Sequence, residues 1–186
     1  MAVTDPIDAE LLVQFKDPVT KERAYTAIIK KYQERLYWHV RRMVVTHDDT
    51  NDVLQNVFIR VWNGLENFRE DAQLYTWLYR IAVHLCLHHR KRSARVEPVA
   101  ELPDTPAPGA QPLSDLLEAE QRQAVAMAIA ALPPQQRAAL TLRVHHNLSY
   151  KEIGEILQCS AGAARANVFH AIQKLRAQLA GFGEDV

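Results

Sequence analysis

Apolar residues recur at helical spacing through the first half of the chain, and no stretch alternates in the manner of a β-strand. The spacing predicts one short amphipathic helix and three longer helices, over residues 7–15, 21–45, 48–65 and 71–92. The fourth helix ends in Arg90, Lys91 and Arg92, cations that suit the negative end of a helix dipole. The pattern therefore predicts an all-α N-terminal domain over residues 1–95.

A second helical pattern, residues 148–179, divides into two helices joined by a very short turn. Ser149 and Glu152 have the spacing of a capping box, and Ser160 stands where it can cap the second helix. This arrangement predicts a helix-turn-helix. An apolar stripe on the second helix is expected to face inward: Ala164, Val168, Ala171, Leu175 and Leu179.

The opposite face of that second helix carries no carboxylate. Its centre holds Ala163, Ala166, Phe169, His170 and Gln173, and its flanks hold Arg165, Asn167 and Lys174. Such a face suits a groove lined by phosphates, so we expect DNA binding. The alternative for this segment alone is an ordinary helical hairpin with a solvated polar face.

A Pro-rich acidic segment separates the two helical regions. Five of the nine prolines fall between residues 98 and 112, where no helical periodicity occurs. We assign residues 96–113 to an extended linker between domains 1–95 and 114–186. Its roughly 18 residues could span about 60 Å when fully extended. Composition alone supports a solvated tether.

The net charge is zero, but the charges are segregated along the chain. Residues 96–120 carry six acidic residues and no Lys or Arg, whereas residues 121–180 carry seven Lys or Arg and two acidic residues. Local fields steer a polyanion, so neutrality does not exclude a nucleic-acid partner. The 48% of hydrophobic residues supports real cores.

The sequence does not favour a membrane protein, a metal-binding protein or an enzyme. The chain has no 18-residue apolar run and no N-terminal leader pattern, so we expect a cytoplasmic protein without membrane insertion. Cys86 and Cys159 have no metal-ligand spacing. His84 and His88 stand at i and i+4, but neither a general-base Glu between them nor a third ligand is evident. We therefore expect no metal site, no cofactor and no enzymatic activity.

Five motifs in order resemble an extracytoplasmic-function (ECF) sigma factor of bacterial RNA polymerase. They are D-V-L-Q-N-V-F-I-R-V-W (52–62), E-N-F-R (66–69), Y-T-W-L-Y-R-I-A-V (75–83), A-L-P-P-Q-Q-R (131–137) and the helix-turn-helix. The resemblance covers nearly the whole chain. An alternative, a helix-turn-helix regulator acting without core polymerase, would explain the last 70 residues but not the motifs before the linker.

The resemblance implies a promoter-recognition subunit that directs transcription initiation. Residues 1–95 correspond to sigma region 2, which binds core RNA polymerase and recognises and melts the minus-10 element. Residues 114–186 correspond to region 4, which recognises the minus-35 element. The implied partners are core RNA polymerase, promoter DNA and an anti-sigma factor, and the family's linker is expected to thread the polymerase channel.

The resemblance also implies site residues. Contact with core polymerase falls on Asp52, Gln55 and Phe58. Strand opening requires aromatic groups beside cations, because unstacked bases lie on aromatic rings and cations hold the backbone. The minus-10 candidates of this kind are Phe68, Arg69, Tyr75, Arg80 and His84. Trp77 lies on the apolar stripe of its helix and is more often a core residue.

The minus-35 contacts fall on the outward face of the last helix, on Arg165, Ala166, Phe169, His170 and Lys174. Three departures from the family pattern concern DNA-reading positions: His84 replaces a usual Asn, and Asn167 and His170 replace frequent arginines. The promoter sequence therefore cannot be transferred from the family.

Overall fold

The computed structural model describes residues 5–44, 46–68, 72–93 and 114–180, and within these ranges it contains eight α-helices and no strand. The helices are α1 (Pro6–Lys16), α2 (Lys21–Met43), α3 (His47–Leu65), α4 (Leu74–Ser93), α5 (Ser114–Ala130), α6 (Pro134–His146), α7 (Tyr150–Leu157) and α8 (Ala161–Leu179). The prediction of an all-α fold is confirmed. The predicted linker, residues 96–113, lies outside the described residues.

Helices α1 to α4 form an N-terminal bundle around α2. The inward face of α2 repeats at intervals of four residues, so its apolar side chains meet α1, α3 and α4 along the whole helix. The buried members of that face are Ala24, Ile28, Tyr32, Leu36 and Val40. Asp5 caps α1 by accepting from the amide of Ile7, and Thr46 caps α3 by accepting from the amide of Asp49.

A polar contact joins α1 to α2 within this core. The Tyr32 hydroxyl donates to Asp8 Oδ2 at 2.6 Å, and Lys31 Nζ donates to Asp8 Oδ1 at 2.7 Å. The buried Asp8 carboxylate is therefore fully partnered, as burial of a charge requires. Burial and the adjacent carboxylate raise the pKa of Tyr32.

Helices α5 to α8 form a C-terminal bundle in which α8 packs against α5, α6 and α7. Pro134 begins α6, and Asn147 ends it in the left-handed conformation with φ 51°. Among the described residues, no helix combines the length and apolar character needed to cross a membrane. The two bundles touch each other through α2, α4, α6 and α7.

Candidate nucleic-acid interface

The helix-turn-helix predicted from the sequence is present as α7, a three-residue turn and α8. Ser149 Oγ accepts from the Glu152 amide at 3.3 Å, and Glu152 Oε2 accepts from the Ser149 amide at 2.7 Å, so the predicted capping box is confirmed. Ser160 Oγ accepts from the Ala163 amide at 3.1 Å and caps α8 as predicted.

The turn is tight because Gly154 lets two backbone segments approach. A Cβ at this position would lie 2.7 Å from the carbonyl oxygen of Cys159. Gln158 adopts the left-handed conformation with φ 56°, and the Cys159 amide donates back to the Gly154 carbonyl at 2.9 Å. These contacts fix the angle between α7 and α8.

The outward face of α8 is exposed in the part of the chain that the structure describes. Ala164, Val168 and Ala171 are buried, as the apolar stripe predicted. The predicted minus-35 residues are all exposed: Arg165, Ala166, Phe169, His170 and Lys174. The Phe169 ring is 57% exposed and meets the His170 ring edge to face at 5.7 Å. An exposed aromatic pair beside cations can make both apolar and hydrogen-bonding contacts to a groove.

A second exposed surface lies on α3. Asp52 and Gln55 are exposed, and Ile59, which shares their side of the helix, is 51% exposed. Phe58 is half-buried at the edge of this side, and its carbonyl accepts from the Tyr25 hydroxyl at 2.8 Å. The polymerase-contact candidates therefore form a surface in which Ile59 supplies the apolar centre.

The predicted minus-10 residues are not equally accessible. Phe68 is only 9% exposed and packs against Trp77 with 5.2 Å between ring centroids, while Arg69 lies outside the described residues. Tyr75 and Arg80 are half-buried on α4, and His84 is exposed. Phe68, which follows α3, is thus a core residue in this structure.

A contact between the two bundles covers part of α4. The Tyr75 hydroxyl donates to the Glu152 carboxylate of α7, and Arg80 Nε donates to the Glu155 carbonyl at 3.1 Å. Burial, with the hydrogen bond to Glu152, raises the pKa of Tyr75 to about 12. Burial opposes ionisation of Glu152, but the hydrogen bonds from Tyr75 and Ser149 hold its pKa below the ordinary value. Two of the minus-10 candidates are therefore engaged by the helix-turn-helix.

Three aromatic rings meet beside this contact, His39 from α2, Tyr79 from α4 and His146 from α6. The Tyr79 hydroxyl and His146 Nδ1 share a hydrogen bond of 2.9 Å. Burial raises the pKa of Tyr79 to about 12 and lowers the pKa of His146 to about 4. Nearby, Arg137 of α6 donates to the Met43 carbonyl at 3.3 Å, at the end of α2 where a cation is favourable.

No pattern in the sequence indicates this contact between the bundles. Tyr79 and His146 are 67 residues apart, and Tyr75 and Glu152 are 77 apart. Neither helical periodicity nor a motif pairs residues over such distances. Glu152 was recognised only as a capping residue, a role it also has.

Comparison with known proteins identifies the family to which this chain belongs. Residues 28–96 match the Sigma-70 region 2 family, and residues 117–175 match Sigma-70 region 4. The RNA polymerase sigma-H factor of Pseudomonas aeruginosa is 33% identical over 164 residues, covering 81% of this chain and 83% of that protein. The chain belongs to the ECF family of RNA polymerase sigma factors. The ECF RNA polymerase sigma-E factor of Escherichia coli K12 is also 33% identical, over 160 residues with the same shares covered.

Solved structures share the fold of this ECF sigma factor. CnrH in complex with the cytosolic domain of CnrY is similar with a TM-score of 0.69 and 21% identity, covering 94% of this chain and 98% of that chain. The sigma factor RpoE in complex with the anti-sigma factor NepR from Bartonella quintana gives a TM-score of 0.67 at 22% identity, covering 83% and 96%. Helices α3 and α4 lie within the residues that match region 2, and α7 with most of α8 lies within those that match region 4.

Proposed function

We propose that this sigma factor binds core RNA polymerase through α3, opens and reads the minus-10 element through α4, and reads the minus-35 element through α8. The observation that carries the proposal is the outward face of α8. It is exposed over its length, holds cations at its flanks and contains no carboxylate, and its helix is fixed by the capped turn that precedes it. A helix presented in this way fits the major groove.

Each surface receives a role that its chemistry can perform. Asp52, Gln55, Phe58 and the adjacent Ile59 form the polymerase contact, where an apolar centre inside a polar rim suits a protein interface. Arg69, Tyr75, Arg80 and His84 contact the minus-10 strand, and Phe68 positions that segment by packing on Trp77. Residues 1–95 form the region 2 domain, residues 96–113 the linker and residues 114–186 the region 4 domain.

Regulation by an anti-sigma factor is part of the proposal. Two proteins of the same fold were solved in complexes, CnrH with the cytosolic domain of CnrY and RpoE with the anti-sigma factor NepR. We infer that an inhibitory protein also holds this chain, which acts as a regulator in the cytoplasm and not as an enzyme. No cofactor is required for the roles assigned here.

Run-off transcription with purified core polymerase and genomic DNA tests the proposal. We expect discrete transcripts that depend on both the sigma factor and core polymerase. Combined replacement of Phe169 and His170 by Ala should abolish start-site selection, whereas replacement of Gln178, exposed near the end of α8, by Ala should not. Tight duplex binding without any polymerase-dependent transcript would instead support a regulator that acts alone.

A further inference from the structure

The contact between the bundles places unpaired histidine nitrogens in a buried site. His39 is fully buried, and among the residues that the structure describes neither of its ring nitrogens has a hydrogen-bond partner. Within the same residues, Nε2 of His146 is also buried and has no partner. The two rings lie 5.3 Å apart between centroids, one from each bundle. Buried polar atoms without partners are uncommon because they lose their hydration and gain nothing in return.

Protonation is disfavoured for both rings while the bundles are in contact. An imidazolium ring has N–H donors on both nitrogens. The described residues supply an acceptor to neither nitrogen of His39, and they supply one to Nδ1 of His146 alone, the Tyr79 hydroxyl oxygen. Burial lowers the pKa of His39 well below its ordinary value, and the charge of a protonated His146 would lower it further. For His146 the lowering by burial is reinforced by Arg42, His145 and Arg35.

The groups that surround the pair contain little compensating negative charge. The cations and titratable bases nearby are Arg35 and Arg42 of α2 and Arg137 and His145 of α6. The phenols are Tyr75 and Tyr79 of α4. The two carboxylates are Glu34 of α2, at the rim of the cleft, and Glu152 of α7, which is already bonded to Tyr75. An open cleft of about 640 Å³ lies beside His146 and admits water to the site. Protons can therefore reach the His146 ring, which lines the cleft.

Contact between the bundles is incompatible with reading two promoter elements at once, if the proposed function is correct. Elements centred about 25 base pairs apart lie about 85 Å apart along straight B-form DNA. In this structure α4 and α7 touch, and Tyr75 and Arg80 of α4 are bonded to α7. The structure is thus a closed state that must open before α4 and α8 reach their separate elements.

We propose that His39 and His146 form a proton-sensitive latch, which holds regions 2 and 4 together when both rings are neutral and releases them when the rings are protonated. The inference rests on the proposed function for its consequence in transcription, but the latch itself is a property of the free protein. Separation removes His146 from His39 and returns both rings to water, where a pKa near 6.5 is ordinary.

The direction of the pH dependence follows from these pKa values. A group whose pKa is lowered in the closed state binds fewer protons there, so the closed state is fully favoured above about pH 6.5 and loses its advantage as the pH falls towards 4. Between pH 7.5 and 5.5, His146 alone should lower the ratio of closed to open protein about tenfold. Glu152 stays ionised across this range because its pKa is lowered.

Distances between two spin labels on the full-length protein test the latch. One label is attached to Cys159 in the turn of the helix-turn-helix and the other to a cysteine introduced at the exposed Asn63 of α3, while Cys86 is buried and does not react. At pH 7.5 we expect one short-distance population. At pH 5.5 a longer-distance population should grow, with the helical circular-dichroism signal unchanged.

Variants separate the latch from general effects of acid. The double variant His39→Phe with His146→Gln cannot gain charge at either position, so it should stay closed at both pH values. His146→Gln alone should lack the roughly tenfold change in the ratio of closed to open protein that His146 causes, and this single variant is the test if the double variant does not fold. His88→Gln, the same change at an exposed site on α4, should respond as the wild type does. A wild-type distance distribution that is identical at the two pH values, or an unaltered response in the His146 variants, overturns the latch.

The distance measurement contains neither DNA nor polymerase. Together with the run-off transcription assay, it therefore distinguishes failure of the latch from failure of the proposed function. Promoter-dependent transcription at pH 7.5 together with pH-independent distances rejects the latch and leaves the proposed function standing. Absence of transcription together with opening at pH 5.5 rejects the promoter role and keeps the latch as a property of the fold.

Discussion

The Tyr75 hydroxyl of α4 donates a hydrogen bond to Glu152 of α7, and the same carboxylate closes the capping box with Ser149. One side chain therefore stabilises the first helix of the helix-turn-helix and holds that helix against region 2. Substitutions can separate the two roles, because the Tyr75 hydroxyl bonds Glu152 but takes no part in the capping box.

Substitutions at the two positions should separate these roles. Tyr75→Phe removes one half-buried hydrogen bond and should lower the free energy of unfolding by about 0.5–1.5 kcal/mol. Glu152→Ala also removes the cap and should cost about 1 kcal/mol more. Urea unfolding measures both losses, and equal losses for Tyr75→Phe and Glu152→Ala would refute the dual role.

The turn between α7 and α8 offers a second test of stability. Alanine normally stabilises a helix relative to glycine by about 1 kcal/mol, but a Cβ at Gly154 would lie 2.7 Å from the Cys159 carbonyl oxygen. Gly154→Ala should therefore destabilise the protein despite the gain in propensity. Gly162→Ala is the matched control, because its Cβ would meet nothing closer than Ser160 Oγ at 3.8 Å. Thermal unfolding should show a lower midpoint for Gly154→Ala only.

Local features of this fold were predictable because they depend on residues close in sequence. The capping box of Ser149 and Glu152 and the buried stripe of Ala164, Val168 and Ala171 follow from spacings of three and four residues. The positions of α8 that lie off this stripe must then face outward. Helix ends were less certain: α2 was predicted to extend to residue 45 and ends at Met43.

Long-range features were not predictable from the same reasoning. Aromatic residues beside arginines indicated base stacking at Phe68, yet its ring is 9% exposed, because packing against Trp77 decides its environment. The burial of His39 depends on packing against α6, which begins about 95 residues further along the sequence. Burial between bundles is decided by tertiary packing, and no sequence period reports it.

The α3 surface leads to a prediction about polymerase binding. Asp52→Ala combined with Gln55→Ala should weaken co-purification with core polymerase and leave the helical circular-dichroism signal intact, because both side chains are exposed and contribute little to the fold. Gln33→Ala, at an exposed position on α2 away from this surface, is the control and should bind as the wild type does. Full polymerase binding by the folded double variant would exclude this surface.

His84 leads to a prediction about the minus-10 element. It is exposed on α4 and lines a cleft of about 330 Å³ between the bundles. Imidazole and carboxamide groups present different donors and acceptors, so His84→Asn should change which base supports opening more than it changes stability. Transcription from a promoter library randomised across the element measures this, with His88→Asn as the control. Identical base profiles for His84→Asn and the wild type would remove His84 from the reading site.

The outward face of α8 allows positioning of DNA to be separated from reading of its sequence. Lys174 lies at the flank of the face and should meet a phosphate, while His170 lies nearer its centre and should approach a base edge. In holoenzyme, Lys174→Ala should weaken minus-35 binding equally for all sequences and reduce the slope of log affinity against log salt by about one unit. Lys30→Ala, an equal loss of charge at an exposed position of α2, should leave the slope unchanged.

His170→Ala should act differently, because an imidazole that hydrogen-bonds a base edge contributes to discrimination at one position. We expect preference at a single base pair of the minus-35 element to relax by about 1–3 kcal/mol, with little change in the salt slope. Competition binding of holoenzyme to single-base variants of the element measures both quantities. If Lys174→Ala and His170→Ala both preserve the base preference and the salt slope, α8 does not dock through this face, and the contacts to the minus-35 element must come from another part of region 4.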